Sequence, residues 1–237
     1  ETLVKGTIVE TFSHLSFDVW GTLIFVNPET KVLRTKFLAQ HFGLDPEEAH
    51  ASYSSLKASF DDVENNRANY CKNTDDCFKL LVRKLGKKSD YVEQEAVYVR
   101  SVFEAIFRKA PPHVPIELIG AIRTLHARNA FTMSLGSNSN FIAGPLMRYY
   151  LLRMFGPDVF SFSIHSDEVG WAKPHYRFYE AIKMEAKERC NVHDAGRILH
   201  IGDNKECDLE GAQEADLQAR IVKNPDETFQ FVKELLQ

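Results

Sequence analysis

The chain has 237 residues, of which 44% are hydrophobic and 26% charged, and its formal net charge is -4. The length is enough for one large domain, or for a core with an insertion. Without a basic block, nucleic-acid binding has no electrostatic support, and no apolar run approaches the length that spans a membrane. Four cysteines without metal-ligand spacing, and no opening signal peptide, predict a cytoplasmic protein with reduced thiols.

The first core strand is predicted over residues 14–19, after an extended lead-in over 5–12. This strand is apolar and ends on a carboxylate, Asp18, and Gly21 follows three residues later. Open α/β sheets bind their ligands at the carboxyl ends of strands, so we expect Asp18 to lie at a ligand site. Gly21 allows the backbone to turn sharply beside that ligand.

Residues 28–110 have a helical pattern almost throughout. We predict four helices there, which begin near residues 29, 46, 74 and 90, and the Pro111-Pro112 pair ends the run. No strand pattern interrupts the segment, which indicates a helical insertion rather than part of a sheet.

The rest of the chain alternates between strands and helices. Further strands are predicted over residues 130–135, 159–164, 198–201 and 218–222. Such alternation is typical of a doubly wound parallel sheet with helices on both faces, and the first strand belongs to it as well. The sequence therefore predicts an α/β core formed by residues 1–27 and 111–237, with a helical domain of residues 28–110 inserted between its parts.

Polar residues follow four of the predicted strands: Asp18, Ser137 with Asn138, Lys173, and Asp203 with Asp208. Each has an ordinary explanation alone, as a turn, a helix cap or a solvated lysine. The occurrence of all four polar groups in this order, each just after an apolar strand, is much less expected by chance. The carboxyl ends of parallel strands share one edge of the sheet, so these side chains can converge there.

Two carboxylates at this edge predict a metal site. Mg²⁺ prefers oxygen ligands, and we expect it to bind Asp18, the backbone carbonyl of Trp20 and Asp203. Asp208 is expected either as a further ligand or as the residue that holds Lys173 or a metal-bound water in place.

The same residues suit phosphoryl chemistry. Asp18 could attack phosphorus as a carboxylate nucleophile and form an acyl phosphate. The Ser137 hydroxyl and the Lys173 ammonium would hold the oxygens of the transferred group. With Asn138 and Trp20, they form the predicted substrate-binding set.

The order of these residues resembles the haloacid dehalogenase-like hydrolase superfamily. Its four motifs are matched by Asp18-Val-Trp-Gly-Thr22, Ser137, Lys173-Pro174, and Gly202-Asp203-Asn-Lys-Glu-Cys-Asp208 followed by Gly211-Ala212. The segment between the first two motifs resembles the family's C1 (subfamily I) helical cap, which closes over the site and selects substrates. The resemblance implies a Rossmann-like core and a Mg²⁺-dependent hydrolase, with a phosphatase of a small phosphorylated metabolite as the favoured activity.

One position departs from the phosphatase pattern. Phosphatases of this superfamily usually carry, two residues after the nucleophile, an Asp that acts as general acid and base, and here that residue is Trp20. Indole cannot transfer a proton at neutral pH, so the resemblance implies a slow or restricted phosphatase.

Two alternatives remain open on the same residue. The 2-haloacid dehalogenases carry an aromatic residue there, and Trp20 could line a halide pocket, although Asp203 stands where those enzymes typically have a small neutral residue. The chain could also bind a phosphorylated ligand without turning it over.

Outside the motifs the sequence is less informative. Arg34, Lys36 and Arg67 could reach an anionic substrate, but solvated surface positions are the expectation for all three. His165 and His200 are expected to be structural. A monomer and a homodimer are both compatible with the sequence.

Overall fold

A computed structural model describes residues 11–86 and 91–237. The predicted lead-in lies outside the described residues over 5–10, as does the expected helix start at residue 90. The strands in the described chain are His14–Phe17 (β1), Thr132–Ser137 (β2), Phe162–His165 (β3), Ile198–Gly202 (β4) and Gln218–Ile221 (β5).

The α-helices are numbered in chain order. Those between β1 and β2 are Pro28–Phe42 (α1), Pro46–Phe60 (α2), Val63–Ala68 (α3), Thr74–Leu85 (α4), Val92–Lys109 (α5) and Ile116–Ala127 (α6). Those after β2 are Gly144–Phe155 (α7), Ser166–Val169 (α8), Tyr176–Cys190 (α9), Gly211–Glu214 (α10) and Pro225–Leu235 (α11). Within the described residues, none of these helices has the length and apolar character required to cross a membrane.

The strands form one parallel sheet in the order β3-β2-β1-β4-β5. The first strand of the chain thus lies in the centre, where Phe17 is in register with Leu135 on one side and with Ile201 on the other. This confirms the predicted α/β fold with its parallel sheet. The carboxyl end of β1, immediately before Asp18, lies at the middle of the ligand-binding edge.

Helices cover both faces of the sheet, as predicted for a doubly wound fold. One face packs α6, α7 and α11 through residues such as Leu118, Leu151 and Phe231. The other face packs α9 and α10 through Phe178, Ile182 and Ala212. Burial of these side chains is the main source of stability for the sheet, because apolar surface removed from water contributes roughly 25 cal/mol per Å².

Helices α1, α2, α4 and α5 share a buried cluster of their own. Phe78 and Phe103 are fully buried in it, with their ring centroids 5.2 Å apart. Phe141, from the loop after β2, enters the same cluster and lies 5.0 Å from the ring of Tyr53. That loop therefore packs the sheet edge against the helical segment. The expected division of the chain into two domains stays a prediction.

The chain enters and leaves the helical segment along paired backbones. Phe25 and His113 exchange two backbone hydrogen bonds, of 2.8 and 2.9 Å. The Thr30 hydroxyl donates to the Ala110 carbonyl at 2.9 Å, just inside this pair. The two connections thus lie side by side, close to the cavity described below.

Element boundaries differ from the predictions where tertiary contacts decide them. The helical segment contains the short helix α3, which the periodicity did not indicate. Strand β2 ends at Ser137 and not at residue 135, because Gly136 and Ser137 still pair with Ile164 and His165 of β3. Strand β3 starts at Phe162, three residues later than expected.

Candidate active site

Asp18 leaves the sheet at the end of the central strand. Its backbone N–H still donates to the Ile201 carbonyl at 2.8 Å, so the strand ladder fixes the position of its Cα. The chain then turns tightly, and the Thr22 hydroxyl donates to Oδ2 of Asp18 at 3.3 Å. Asp18 is only 6% exposed. The turn that follows the strand therefore orients this buried carboxylate.

Gly21 brings this turn against the loop that carries Asp203. Its φ of +77° lies in the left-handed region, which favours glycine. A Cβ at this position would lie 2.2 Å from Oδ2 of Asp203. The backbone conformation thus favours glycine here, and any larger side chain would displace the Asp203 carboxylate from its present position.

Lys173 connects the carboxylates. Its Nζ donates to Oδ1 of Asp18 and to Oδ1 of Asp208, both at 2.6 Å, and to the Gly136 carbonyl at 2.9 Å. An ammonium has three N–H donors, so these bonds use all of them. Contact of Lys173 with a substrate, as predicted, would require it to give up one of these bonds.

Asn138 holds the backbone of Lys173. Its Oδ1 accepts from the Lys173 backbone N–H at 2.8 Å, and its Nδ2 donates to the Lys173 carbonyl at 3.0 Å. The amide expected to bind substrate is therefore already engaged, and the geometry gives it a positioning role. The neighbouring Ser137 hydroxyl is buried at the edge of the cavity, and its hydrogen bond in the described chain is a long one of 3.3 Å to the Asn138 carbonyl.

Asp208 is held from both sides. Its Oδ2 accepts from the Asn204 backbone N–H at 2.9 Å, and Nε2 of His200 lies 3.1 Å from its Oδ1. The second ring nitrogen of His200 lies 3.0 Å from the Ser16 hydroxyl. Burial lowers the pKa of His200, so its neutral ring donates from Nε2 to the carboxylate and accepts from the serine.

Asp18, Asp203 and Asp208 bring carboxylate oxygens within 4.8 Å of one another. Three hard anionic ligands at such spacing are the donor set that Mg²⁺ or a similar cation prefers. One ammonium faces these three carboxylates, so a divalent cation would balance the remaining charge. Asp203 is exposed and free to rotate toward a cation, whereas both oxygens of Asp208 already have protein partners.

The two buried carboxylates differ in acidity. Burial raises the pKa of Asp18 to about 7, against the opposing attraction of Lys173. Burial also acts on Asp208, but Lys173 and the His200 hydrogen bond hold the pKa of that carboxyl below its usual range. Asp208 is thus the permanent counter-ion of Lys173, and Asp18 is the group whose charge depends on pH and on a bound cation.

These residues line one cavity of about 390 Å³ between the sheet edge and the helical segment. Trp20 forms part of its wall next to Asp18, and its side chain is half-buried. Further apolar lining comes from Val26, Phe107, Pro112, Phe141 and Ile142. The cavity therefore has charged groups at the sheet edge and an apolar lining beside them, and the helical segment adds Arg34, Lys57 and Asp61 to its wall.

The three cations considered in the helical segment have different surroundings. Lys36 is exposed to solvent as expected, and Arg67 forms an ion pair with Glu214. Arg34 departs from the expectation, because it is half-buried and lines the cavity. Helix α1 packs so that Arg34 contacts Tyr53 and Phe103 at the cavity wall, which a helical pattern alone does not reveal.

The structure thus brings together every residue predicted at the strand ends: Asp18, Trp20, Ser137, Asn138, Lys173, Asp203 and Asp208. Their roles stay predictions. The sequence analysis missed the hydrogen bonds that Thr22 and His200 make to Asp18 and Asp208, respectively. Thr22 belongs to the first motif and could have been found there, whereas nothing in the sequence pattern of β4 points to His200.

A family profile described as haloacid dehalogenase-like hydrolase matches residues 12–216. The chain therefore belongs to the haloacid dehalogenase-like hydrolase family, as its motifs predicted. A comparison with curated protein sequences found no match.

Solved structures with the same fold include a dehalogenase and a phosphatase. The HAD-hydrolase YfnB from Bacillus subtilis, bound to magnesium, is 16% identical with a TM-score of 0.66, over 94% of this chain and 99% of that one. A 2-haloacid dehalogenase from Pseudomonas syringae pv. Tomato DC3000 is 21% identical, with a TM-score of 0.63. A HAD phosphatase from Thermococcus onnurineus is 18% identical, also with a TM-score of 0.63. Each of these two alignments covers 95% of this chain and 98% of the other.

Proposed function

We propose that this hydrolase is a Mg²⁺-dependent phosphatase that acts on a small phosphorylated molecule through an aspartyl-phosphate on Asp18. The observation that carries the proposal is the cluster of three carboxylates around one lysine. When all are ionised, two negative charges remain, which would repel any anionic substrate. A divalent cation removes this repulsion and makes the site suitable for a phosphate dianion.

The residues that would hold the cation are Asp18, Asp203 and the Trp20 carbonyl. Asp208 would act from outside the coordination sphere, because its two oxygens accept three bonds, from Lys173, His200 and Asn204. The bond that Oδ2 of Asp18 accepts from Thr22 is long, at 3.3 Å, which leaves that oxygen the better ligand. When bound, Mg²⁺ would supply charge neutralisation for the phosphate oxygens and lower the pKa of Asp18.

The protein's own groups then account for two displacement steps. An oxygen of Asp18 forms a bond to phosphorus while the bond from phosphorus to the leaving oxygen breaks, and that oxygen takes a proton from water. A water molecule next displaces the carboxylate from phosphorus and passes its proton to the hydroxide left by the first step, which releases phosphate and restores Asp18. Thr22 and Lys173 orient the carboxylate, and Trp20 can supply no proton in either step. Leaving groups that need no protonation should therefore react fastest.

A 2-haloacid dehalogenase is the second candidate. The half-buried Trp20 and the apolar lining next to Asp18 favour it, because they could surround a halide leaving group. The three clustered carboxylates weigh against it, since without a cation they disfavour a carboxylate substrate.

The experiment that tests the proposal is phosphate release from a panel of alkyl, aryl and acyl phosphates, with Mg²⁺ and with a chelator. We expect Mg²⁺-dependent release, fastest for acyl and aryl phosphates. If no ester releases phosphate, halide release from 2-haloacids would identify the dehalogenase. Inactivity in both assays with retained binding of a phosphorylated ligand would identify a binding protein.

Mg²⁺ should stabilise the protein in a pH-dependent way. The folded pKa of Asp18 is raised to about 7 from 3.8, so its favourable contribution to stability is lost as pH rises through about 7. Protons compete with the cation below that pH. We therefore expect a small Mg²⁺-induced increase in Tm at about pH 5.5 and a larger one at about pH 8.

When Mg²⁺ is present at about 100 times its Kd, the free energy of unfolding increases by about 2.7 kcal/mol, and Tm rises accordingly. Thermal unfolding with Mg²⁺ and with a chelator at both pH values measures it, and Asp203→Asn is expected to reduce it. An equal increase in Tm at both pH values would contradict the assignment of Asp18 as a ligand.

A further inference from the structure

The cavity wall contributed by the helical segment contains a cation that no carboxylate of the described residues neutralises. Three cationic side chains line the cavity: Arg34, Lys57 and Lys173. Lys173 is paired with two aspartates, and Lys57 is paired with Asp61. Within residues 11–86 and 91–237, no carboxylate lies within ion-pair distance of Arg34.

Arg34 is nevertheless held in place. Its guanidinium carbon lies 4.9 Å from the centroid of the buried Phe103 ring, and its Nη1 donates to the Tyr53 hydroxyl at 3.2 Å. Its Nε is shielded from solvent and has no hydrogen-bond partner in the described chain. A guanidinium that is partly desolvated, oriented and unpaired is costly unless an anion completes its surroundings.

We propose that Arg34 binds a second anionic group of the substrate, a carboxylate or a phosphate, distinct from the phosphoryl group that reacts at Asp18. A planar guanidinium suits either anion, because it can donate two parallel hydrogen bonds. The inference rests on the proposed function only for the identity of the first anion.

Two features separate this subsite from the reacting end. Arg34 lies on α1 and contacts residues of α2 and α5, whereas Asp18 and Lys173 lie at the sheet edge. The cavity that they share has a mainly apolar wall, which includes Trp20, Phe107 and Phe141. The substrate class is therefore a small molecule with an apolar or aromatic body and an anion at each end, of a size that about 390 Å³ can hold.

The test uses ligands that cannot be hydrolysed, so that binding is measured apart from turnover. Benzylphosphonate has no scissile P–O ester bond, and its 4-carboxy and 4-carbamoyl derivatives differ mainly in one negative charge. Calorimetric titration in the presence of Mg²⁺ gives the ratio of the two Kd values. We expect the parent to bind the carboxylate at least about tenfold more tightly than the amide, as charge-assisted hydrogen bonds do.

Arg34→Gln should reduce this ratio to about one, and Arg34→Lys should leave an intermediate value, because lysine keeps the charge but loses the planar fork. Lys36→Gln is the matched control: it removes an exposed cation on the same helix and should leave the ratio unchanged. Thermal unfolding of each variant shows whether it is folded, and Arg34→Lys keeps the test valid if Arg34→Gln is not.

Several results would overturn the inference. The first is that the parent binds neither the 4-carboxy nor the 4-phosphono derivative more tightly than the carbamoyl derivative. The second is that this preference is unchanged in both Arg34 variants. A uniform loss for both ligands in Arg34→Gln would place Arg34 on the phosphonate common to them, which also contradicts a second anion. A 4-phosphono derivative in the same titrations decides between carboxylate and phosphate.

The outcome is separable from that of the proposed function. If the parent releases no phosphate from any ester but prefers the carboxylated phosphonate through Arg34, the subsite stands and the phosphatase assignment fails. If phosphate release is found with no such preference, the phosphatase assignment stands and the subsite fails.

Discussion

Phosphate release is expected to fall by about 10³-fold or more when Asp18 is replaced by asparagine. The amide oxygen of the variant would keep the hydrogen bond from Lys173, and its NH₂ group could donate to the Thr22 hydroxyl, so the turn and the lysine should stay in place. An amide oxygen does not form the acyl phosphate, so the first displacement step is lost while the cavity is kept.

The measurement is kcat/KM for the fastest substrate of the panel with saturating Mg²⁺, together with Tm for each protein. Asp226→Asn is the matched control, because it makes the same chemical change at an exposed carboxylate outside the cavity and should leave kcat/KM unaltered. Full activity in a folded Asp18→Asn protein would rule out Asp18 as the nucleophile.

Replacement of Trp20 by aspartate is expected to increase phosphatase activity by about 10²–10⁴-fold for substrates with poor leaving groups. Trp20 lines the cavity beside Asp18, so a carboxylic acid there could give a proton to the departing oxygen. The gain should be largest for alkyl phosphates and small for 4-nitrophenyl phosphate, whose leaving group needs no proton.

Trp20→Asn is the control for this gain. Asparagine opens the same space in the cavity but cannot act as a general acid, so its effect should be the same for alkyl and aryl esters. A similar increase in both variants would show that Trp20 limits access and not proton transfer. No increase in Trp20→Asp would indicate that the site lacks more than an acid.

Sequence alone was sufficient for the features that depend on local periodicity and on the order of strands. The apolar stretch before Asp18 predicted a buried strand, and the later alternation of strands and helices predicted a parallel sheet. Ser137 and Lys173 could be assigned to the same edge before any coordinates, because parallel strands end on one side.

Boundaries were less well predicted because they depend on packing partners. Strand β2 continues through Gly136, since Gly136 and Ser137 are in register with β3. The helix expected after β4 begins as a π-helical turn, Lys205–Glu210, in which Asp208 turns back toward Lys173. Neither feature has a periodic signal, because each is set by residues far away in the chain.

Only the tertiary structure decided what each polar side chain contacts. Lys173 lies 155 residues from Asp18 in sequence, yet Nζ is 2.6 Å from its carboxylate, and this contact uses a donor that was expected to bind substrate. Arg34 was expected in solvent, but the packing of α1 places it in the cavity wall. A sequence pattern specifies which face of an element is apolar, whereas the partner of a charged group is determined by how separate elements pack.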